Sequence, residues 1–163
     1  MKRIFIRTIL LCTKENDDSL ILIIMRIELK RLDDAFHFEA VSETGNIALM
    51  DGSENIGGSN KGVRPMQLLL MGLGGCSGID IVMILKKQRQ IIESFEISID
   101  GERQKDKEPS LWETIQIHFK LKGTIDKEKA ERAVQLSMEK YCSVARTLEL
   151  AGALITYKVS VNE

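Results

Sequence analysis

The chain has 163 residues, of which 44% are apolar and 29% charged. This length suits a single domain with a real hydrophobic core, and the composition excludes a disordered or fibrous protein. The formal net charge is −1, from 23 basic and 24 acidic residues, so the chain offers no bulk positive field for nucleic acid or anionic lipid. We therefore expect neither a nucleic-acid partner nor a membrane partner.

The N-terminal 24 residues form an extension of uncertain status. Arg7 interrupts the first apolar run, and acidic residues at 15–18 replace the small residues of a signal-peptide cleavage site. No uninterrupted apolar run approaches the roughly 20 residues that span a bilayer. Two interpretations of residues 1–24 stay open: either Met25 is the true start, or the segment adds a strand or arm.

From residue 25 onward, alternation of apolar and polar residues predicts three short strands, at 25–30, 36–40 and 46–50. A glycine-rich stretch at 52–62 then predicts a loop.

A long helix is predicted over residues 65–89, because Pro65 suits a first helical turn and the following residues are apolar almost all round. Such a helix belongs in the core. Four glycines interrupt it: Gly72, Gly74, Gly75 and Gly78. Each weakens a helix by about 1 kcal/mol relative to alanine, so we expect a close approach of another backbone or a ligand around Cys76, which they flank.

The remaining chain predicts two long strands, two helices and a final strand. Asp126 is the expected N-cap of the first of these helices. In chain order the elements are strands at 94–101 and 112–122, helices at 127–141 and 144–150, and a strand at 154–161.

The chain has three cysteines, Cys12, Cys76 and Cys142, too few for the disulfide framework of a small secreted protein. We expect a cytoplasmic protein in which any disulfide is transient. An isolated buried cysteine is usually a small hydrophobic residue, whereas a reactive thiol needs activation. A helix N-terminus lowers a thiol pKa by less than one unit, but an arginine at about 4 Å offers about 4 kcal/mol.

Two stretches resemble the signatures of the OsmC/Ohr family. Residues 64–77 (RPMQLLLMGLGGCS) resemble its Pro-led helix that reaches a cysteine after small residues, and residues 141–145 (YCSVA) resemble its cysteine that opens a short helix. The order of elements from Met25 onward is also similar, so the resemblance covers about five-sixths of the chain.

The resemblance implies an α+β, OsmC-like domain over residues 25–163, with an antiparallel sheet, a buried central helix and an intertwined homodimer. It implies that Cys76 is the peroxidatic and Cys142 the resolving cysteine of a thiol-dependent hydroperoxide reductase. The partners would then be an organic hydroperoxide and a dithiol reductant, with the site at the dimer interface and no cofactor.

One position departs from the family pattern. Active members commonly carry Glu directly after the Pro of the first signature, orienting an activating Arg, and this chain has Met66 there. Arg31 and Arg64 are the candidates for the activating residue, with a surface charge as the alternative for both. His37 and His118 lack metal-ligand spacing, so no metal site is predicted.

Three functional interpretations follow. The first is the hydroperoxide reductase. The second is an OsmC-like dimer without peroxidase activity that binds a small apolar or electrophilic molecule in the interface pocket. The third is a protein in which both thiols are merely part of the core.

Overall fold

The computed structural model describes residues 25–163, which form an α+β arrangement of two three-stranded sheets and three α-helices. The predicted alternatives for residues 1–24 lie outside the described residues.

The first sheet is antiparallel, with its strands in chain order: β1 (Ile27–Arg31), β2 (Phe38–Ser42) and β3 (Ile47–Met50). The second sheet consists of β4 (Ile91–Arg103), β5 (Trp112–Thr124) and β6 (Leu154–Val161). β4 and β5 pair antiparallel, as expected, but β6 runs parallel to β5. A parallel neighbour needs a crossover connection, and the two helices between β5 and β6 provide it.

The alternation in β5 fixes which face of the second sheet is buried. Four of its side chains are at most 2% exposed: Ile115, Ile117, Phe119 and Leu121. The residues between them point to the opposite face of the sheet. This period of two is the pattern of a sheet with one face on the core.

α1 (Pro65–Lys87) begins at the predicted proline. The side chain of Gln67 accepts a hydrogen bond from the Arg64 backbone N–H at 2.9 Å, which satisfies one free donor at the helix start. The helix ends two residues before the predicted Arg89, whose φ of 58° lies in the left-handed region.

α1 is long and apolar enough to cross a membrane by length and composition alone. The core helix of a globular fold has the same properties, and α1 packs one face on β4 and on the later helices. Among residues 25–163, only that face is covered by other elements. The opposite face exposes large apolar side chains: Leu69, Met71, Ile79 and Met83.

The predicted helix over residues 127–141 is divided in two. α2 (Lys127–Leu136) is capped by Asp126, whose carboxylate accepts from the Lys129 N–H at 2.9 Å, as predicted. A π-helical turn (Ser137–Tyr141) follows, and α3 (Ser143–Leu150) begins after Cys142.

The core lies between the second sheet and the three helices. Within the described residues it includes no side chain of the first sheet. Ile27 and Leu29 of β1 are 56% and 60% exposed, so the first sheet also presents apolar side chains to its surroundings.

Candidate functional site

Cys76 lies in the middle of α1 and is half-buried against the core. Gly74 and Gly78, on either side of it, face β4. A Cβ at these positions would lie 3.1 Å from Ile99 Cδ1 and 2.9 Å from Ile97 Cδ1, respectively. The close approach is therefore to isoleucine side chains of strand β4, and not to another backbone or a ligand as expected. It brings α1 close to the sheet.

Cys142 is only 3% exposed and is the N-cap residue of α3. Its Sγ accepts a hydrogen bond from the Ala145 backbone N–H at 3.4 Å. The thiol itself, rather than a hydroxyl, therefore occupies the capping position at the start of this short helix.

Cys76 and Cys142 are both free thiols, and they are neighbours in the fold, since Cys76 influences the pKa of Cys142. Burial, the largest influence, raises the pKa of Cys142 to about 12. The hydrogen bond and the charge of Cys76 act in the same direction, and the Ala145 N–H opposes them. Cys142 is therefore protonated at neutral pH.

Neither candidate arginine contacts the thiols within the described chain. Arg31 donates from Nε to the carbonyl of Ala35 at 3.0 Å and from its guanidinium to the carbonyl of Asp34. Arg64 donates to the carbonyl of Asp51 at 3.2 Å. Since Arg64 precedes Cys76 by almost the whole first half of α1, the two are separated by about 18 Å along the helix axis.

Arg64 instead donates hydrogen bonds to the glycine-rich loop that precedes α1. At the centre of that loop the buried carboxylate of Asp51 accepts backbone N–H groups of Gly52, Ser59 and Lys61 at 2.7–3.0 Å. These hydrogen bonds, first that of Lys61, lower the pKa of Asp51. The loop holds the start of the helix that carries Cys76.

Met66, which occupies the position of the family carboxylate, packs against the core. Its thioether has no charge with which to orient an arginine. The next residue, Gln67, is used as the capping acceptor for Arg64.

Asp80 and Ser137, which the sequence did not single out, connect the elements that carry the two thiols. Asp80 follows Cys76 by one helical turn, and its Oδ2 accepts a hydrogen bond from Ser137 Oγ at 3.1 Å. Ser137 is fully buried at the start of the π-helical turn. The spacing of four residues from Cys76 was a signal for Asp80, whereas nothing in the local sequence marks Ser137.

An open groove of about 510 Å³ runs along α1 from Asp80 to Gln88 and is closed on its other side by Leu136 and Tyr141. Asp80 lies one helical turn from Cys76, and Tyr141 directly precedes Cys142, but neither cysteine lines the groove.

The two histidines lie in different parts of the fold, His118 within β5 and His37 directly before β2. His118 on β5 is hydrogen-bonded through Nε2 to Ser160 Oγ at 2.9 Å, and desolvation, followed by the charge of Lys158, lowers its pKa. His37 lies near Asp51, in the first sheet's part of the chain. Among residues 25–163, no group of three or more His, Cys, Asp or Glu side chains could hold a metal ion.

Comparison with known proteins identifies relatives for most of the chain. The family model for OsmC-like proteins matches residues 58–158. Protein YhfA of Escherichia coli (strain K12) is 44% identical over 115 residues, which cover 70% of this chain and 82% of YhfA.

Solved structures also resemble this chain in fold. A hypothetical protein from Aquifex aeolicus VF5 is 33% identical, with a TM-score of 0.70 over 86% of this chain and 98% of that one. An organic hydroperoxide resistance protein from Elizabethkingia anophelis is 14% identical, with a TM-score of 0.67 over 88% of this chain and 100% of that one. At that identity the second likeness shows the fold alone.

Proposed function

Because this chain belongs to the family of OsmC-like proteins, we propose that it is a thiol-dependent hydroperoxide reductase in which Cys76 is peroxidatic and Cys142 resolving. The observation that carries the proposal is that a half-buried thiol and a buried thiol are neighbours in the fold. Structures with the same fold include proteins named for organic hydroperoxide resistance.

The proposed reaction has three steps. The Cys76 thiolate attacks one oxygen of the hydroperoxide, the O–O bond breaks, and the alkoxide takes a proton to leave as an alcohol. Cys76 becomes a sulfenic acid. The Cys142 thiol then displaces the hydroxyl, which leaves as water with the thiol proton, and an external dithiol reduces the resulting disulfide.

The different environments of the thiols support this division of roles. A thiolate is the attacking species, and Cys142 stays protonated because its pKa is raised to about 12. Cys76 is the more accessible of the two. Cys142 is therefore better suited to the second step, in which the sulfenic acid of Cys76 is already next to it.

We propose that the protein is a homodimer. In the single chain, apolar side chains are exposed on α1, such as Ile79 at 64%, and on β1, such as Leu29 at 60%. Exposed apolar faces of this kind mark interaction surfaces, and a second copy of the chain would cover both faces. Arg31 ends the exposed strand β1, so it is the arginine that such a partner could bring to a thiol; Arg64 remains the alternative.

A peroxide-consumption assay tests the enzymatic proposal. The native protein, Cys76→Ser and Cys142→Ser are each mixed with cumene hydroperoxide and dithiothreitol. We expect Cys76→Ser to slow consumption by at least about 100-fold, since it removes the nucleophile. Cys142→Ser should still form the sulfenic acid once, detected by dimedone labelling, and then lose turnover.

Equal and slow consumption by all three proteins would exclude the enzymatic proposal. The second candidate function would then stand: a dimer that binds a small apolar or electrophilic molecule without reducing peroxides. Met66 favours this candidate, because it packs into the core where active relatives place a carboxylate. A cytoplasmic location, in which the dithiol reductant is available, is part of both proposals.

A further inference from the structure

The buried hydroxyl of Ser137 connects α1 to the π-helical turn. Its Oγ lies 3.1 Å from Asp80 Oδ2 and 3.3 Å from the carbonyl oxygen of Ser77. A hydroxyl has one proton to donate, and an ionised carboxylate is the stronger acceptor. Asp80 is therefore the principal partner of Ser137, with the Ser77 carbonyl as a second acceptor.

Ser137 is also linked directly to Cys142. Its carbonyl accepts the Cys142 backbone N–H at 2.8 Å, which closes the π-helical turn. Single π-helical turns are rare and occur often at functional sites. One residue thus holds α1 through its side chain and the buried cysteine through its backbone.

Asp80 completes the connection because it lies one helical turn after Cys76 on α1. A chain of contacts therefore runs from the helix of one cysteine, through the Asp80 carboxylate and Ser137, to the backbone of the other.

The charge of Asp80 has no cationic partner in the described residues. The salt bridges there join Lys61 to Asp33 and Arg146 to Glu149. Lys87 lines the same groove as Asp80 but makes no ion pair with it. Within the described residues, the hydrogen bond from Ser137 Oγ is therefore the direct side-chain interaction of the Asp80 carboxylate.

We infer that Asp80 is a positioning residue for the thiol pair: its hydrogen bond to Ser137 fixes the π-helical turn so that Cys142 Sγ stays beside Cys76 Sγ. This inference rests on the proposed function in one respect only, the pairing of Cys76 with Cys142 in a disulfide. Disulfide geometry is strict, so a small displacement of the turn lowers the effective concentration of one thiol at the other.

The test measures the thiol–disulfide equilibrium in glutathione buffers, where oxidised glutathione supplies the oxidising equivalents and no hydroperoxide is needed. Full-length protein is equilibrated, quenched by alkylation, and the Cys76–Cys142 disulfide is quantified by mass spectrometry. The variants are Asp80→Leu, which removes the acceptor, Ser137→Ala, which removes the donor, and Asp80→Asn, which keeps an oxygen for Ser137.

We expect Asp80→Leu and Ser137→Ala each to lower the equilibrium constant for disulfide formation about tenfold, equivalent to about 30 mV, as for loss of one charge-assisted hydrogen bond. Asp80→Asn should lose only about threefold, because it retains the acceptor but not its charge. A purely structural role would change the unfolding midpoint without changing this constant, so both are measured. If Asp80→Leu does not fold, Ser137→Ala and Asp80→Asn still provide the comparison.

Native values in both Asp80→Leu and Ser137→Ala would overturn the inference and leave the proposed function intact. A native protein that forms no Cys76–Cys142 disulfide in any glutathione buffer would overturn both. A tenfold effect in a protein without peroxidase activity would support the positioning role alone.

Discussion

Cys76 and Cys142 are neighbours but differ in solvent access and hydrogen bonding. Cys76 lies within a helix and is half-buried, whereas Cys142 caps a helix and is 3% exposed. Burial of a thiol disfavours its charged form, and here it outweighs the stabilising N–H of Ala145. The environment thus keeps Cys142 protonated.

This difference predicts selective alkylation. Native protein treated briefly with iodoacetamide at pH 8 should be modified at Cys76 and spared at Cys142, because the pKa of Cys142 is raised to about 12. Peptide mapping by mass spectrometry measures both sites, and protein unfolded in urea is the control in which both react. Equal modification of the two cysteines in the folded protein would contradict the assignment.

The same pKa predicts a pH dependence of stability. In the unfolded chain Cys142 ionises near its ordinary value of 9.0, while in the folded chain it stays protonated to about 12. The contribution of the protonated Cys142 thiol to the free energy of unfolding is therefore fully present below pH 9 and lost as the pH rises toward 12. The free energy of urea unfolding should fall more steeply between pH 9 and 10.5 for the native protein than for Cys142→Ala.

At the scale of elements, the packing of α1 shows which of its four glycines are required. A Cβ at Gly74 or Gly78 would crowd side chains of β4, whereas a Cβ at Gly72 would lie 4.0 Å from Val144 Cγ1 of α3, an ordinary contact distance. Gly75 is different, since a Cβ there would meet no atom within 4 Å. The sequence predicted a close approach around Cys76, but it could not separate Gly74 and Gly78, which are tightly packed, from Gly72 and Gly75, which are not.

Two matched substitutions test this reading of α1. In an Ile79→Glu background, which removes the proposed dimer contact of this face, Gly75→Ala should raise the free energy of unfolding by about 1 kcal/mol, because it improves helix propensity in open space. Gly78→Ala gains the same propensity but forces Ile97 to move, so it should be about 1–3 kcal/mol less stable than Gly75→Ala. Chemical denaturation at equal protein concentration measures both, and the reverse order of stability would refute the packing argument.

The π-helical turn is the second element that matters for the site. Residues 127–141 carry a helical pattern, so the sequence predicted one continuous helix, and the cap at Asp126 is confirmed. The helix instead changes at Ser137, where the buried hydroxyl bonds to Asp80 and the carbonyl accepts Cys142 N–H. These partners depend on the packing of another helix, which a local pattern does not contain.

At the scale of the whole molecule, the described chain leaves two apolar surfaces without a cover, one on the first sheet and one on α1. The core between the second sheet and the helices is complete without either. Two exposed surfaces beside a complete core are what the proposed homodimer requires.

Ile79→Glu tests that dimer. Ile79 is 64% exposed in the single chain, so a charge there should be tolerated by the monomer but desolvated in the dimer. We expect the native protein to have twice the chain mass in light scattering, and Ile79→Glu to weaken association by at least about 100-fold. Glu131→Lys on the exposed side of α2 is the control that should remain dimeric. A native protein that is monomeric at micromolar concentration would contradict the proposal.

The sequence by itself determined the family, the α+β class and nearly all helices and strands, and it singled out the two cysteines of the proposed site. These follow from local properties: the period of side-chain burial, caps and turns, and short signatures around Cys76 and Cys142. The tertiary structure alone decided that β6 lies parallel to β5, that Cys142 is the buried thiol, and that Asp80 reaches Ser137, 57 residues away. Those facts depend on which surfaces pack together, because burial and hydrogen-bond partners of distant residues arise only when the chain has folded.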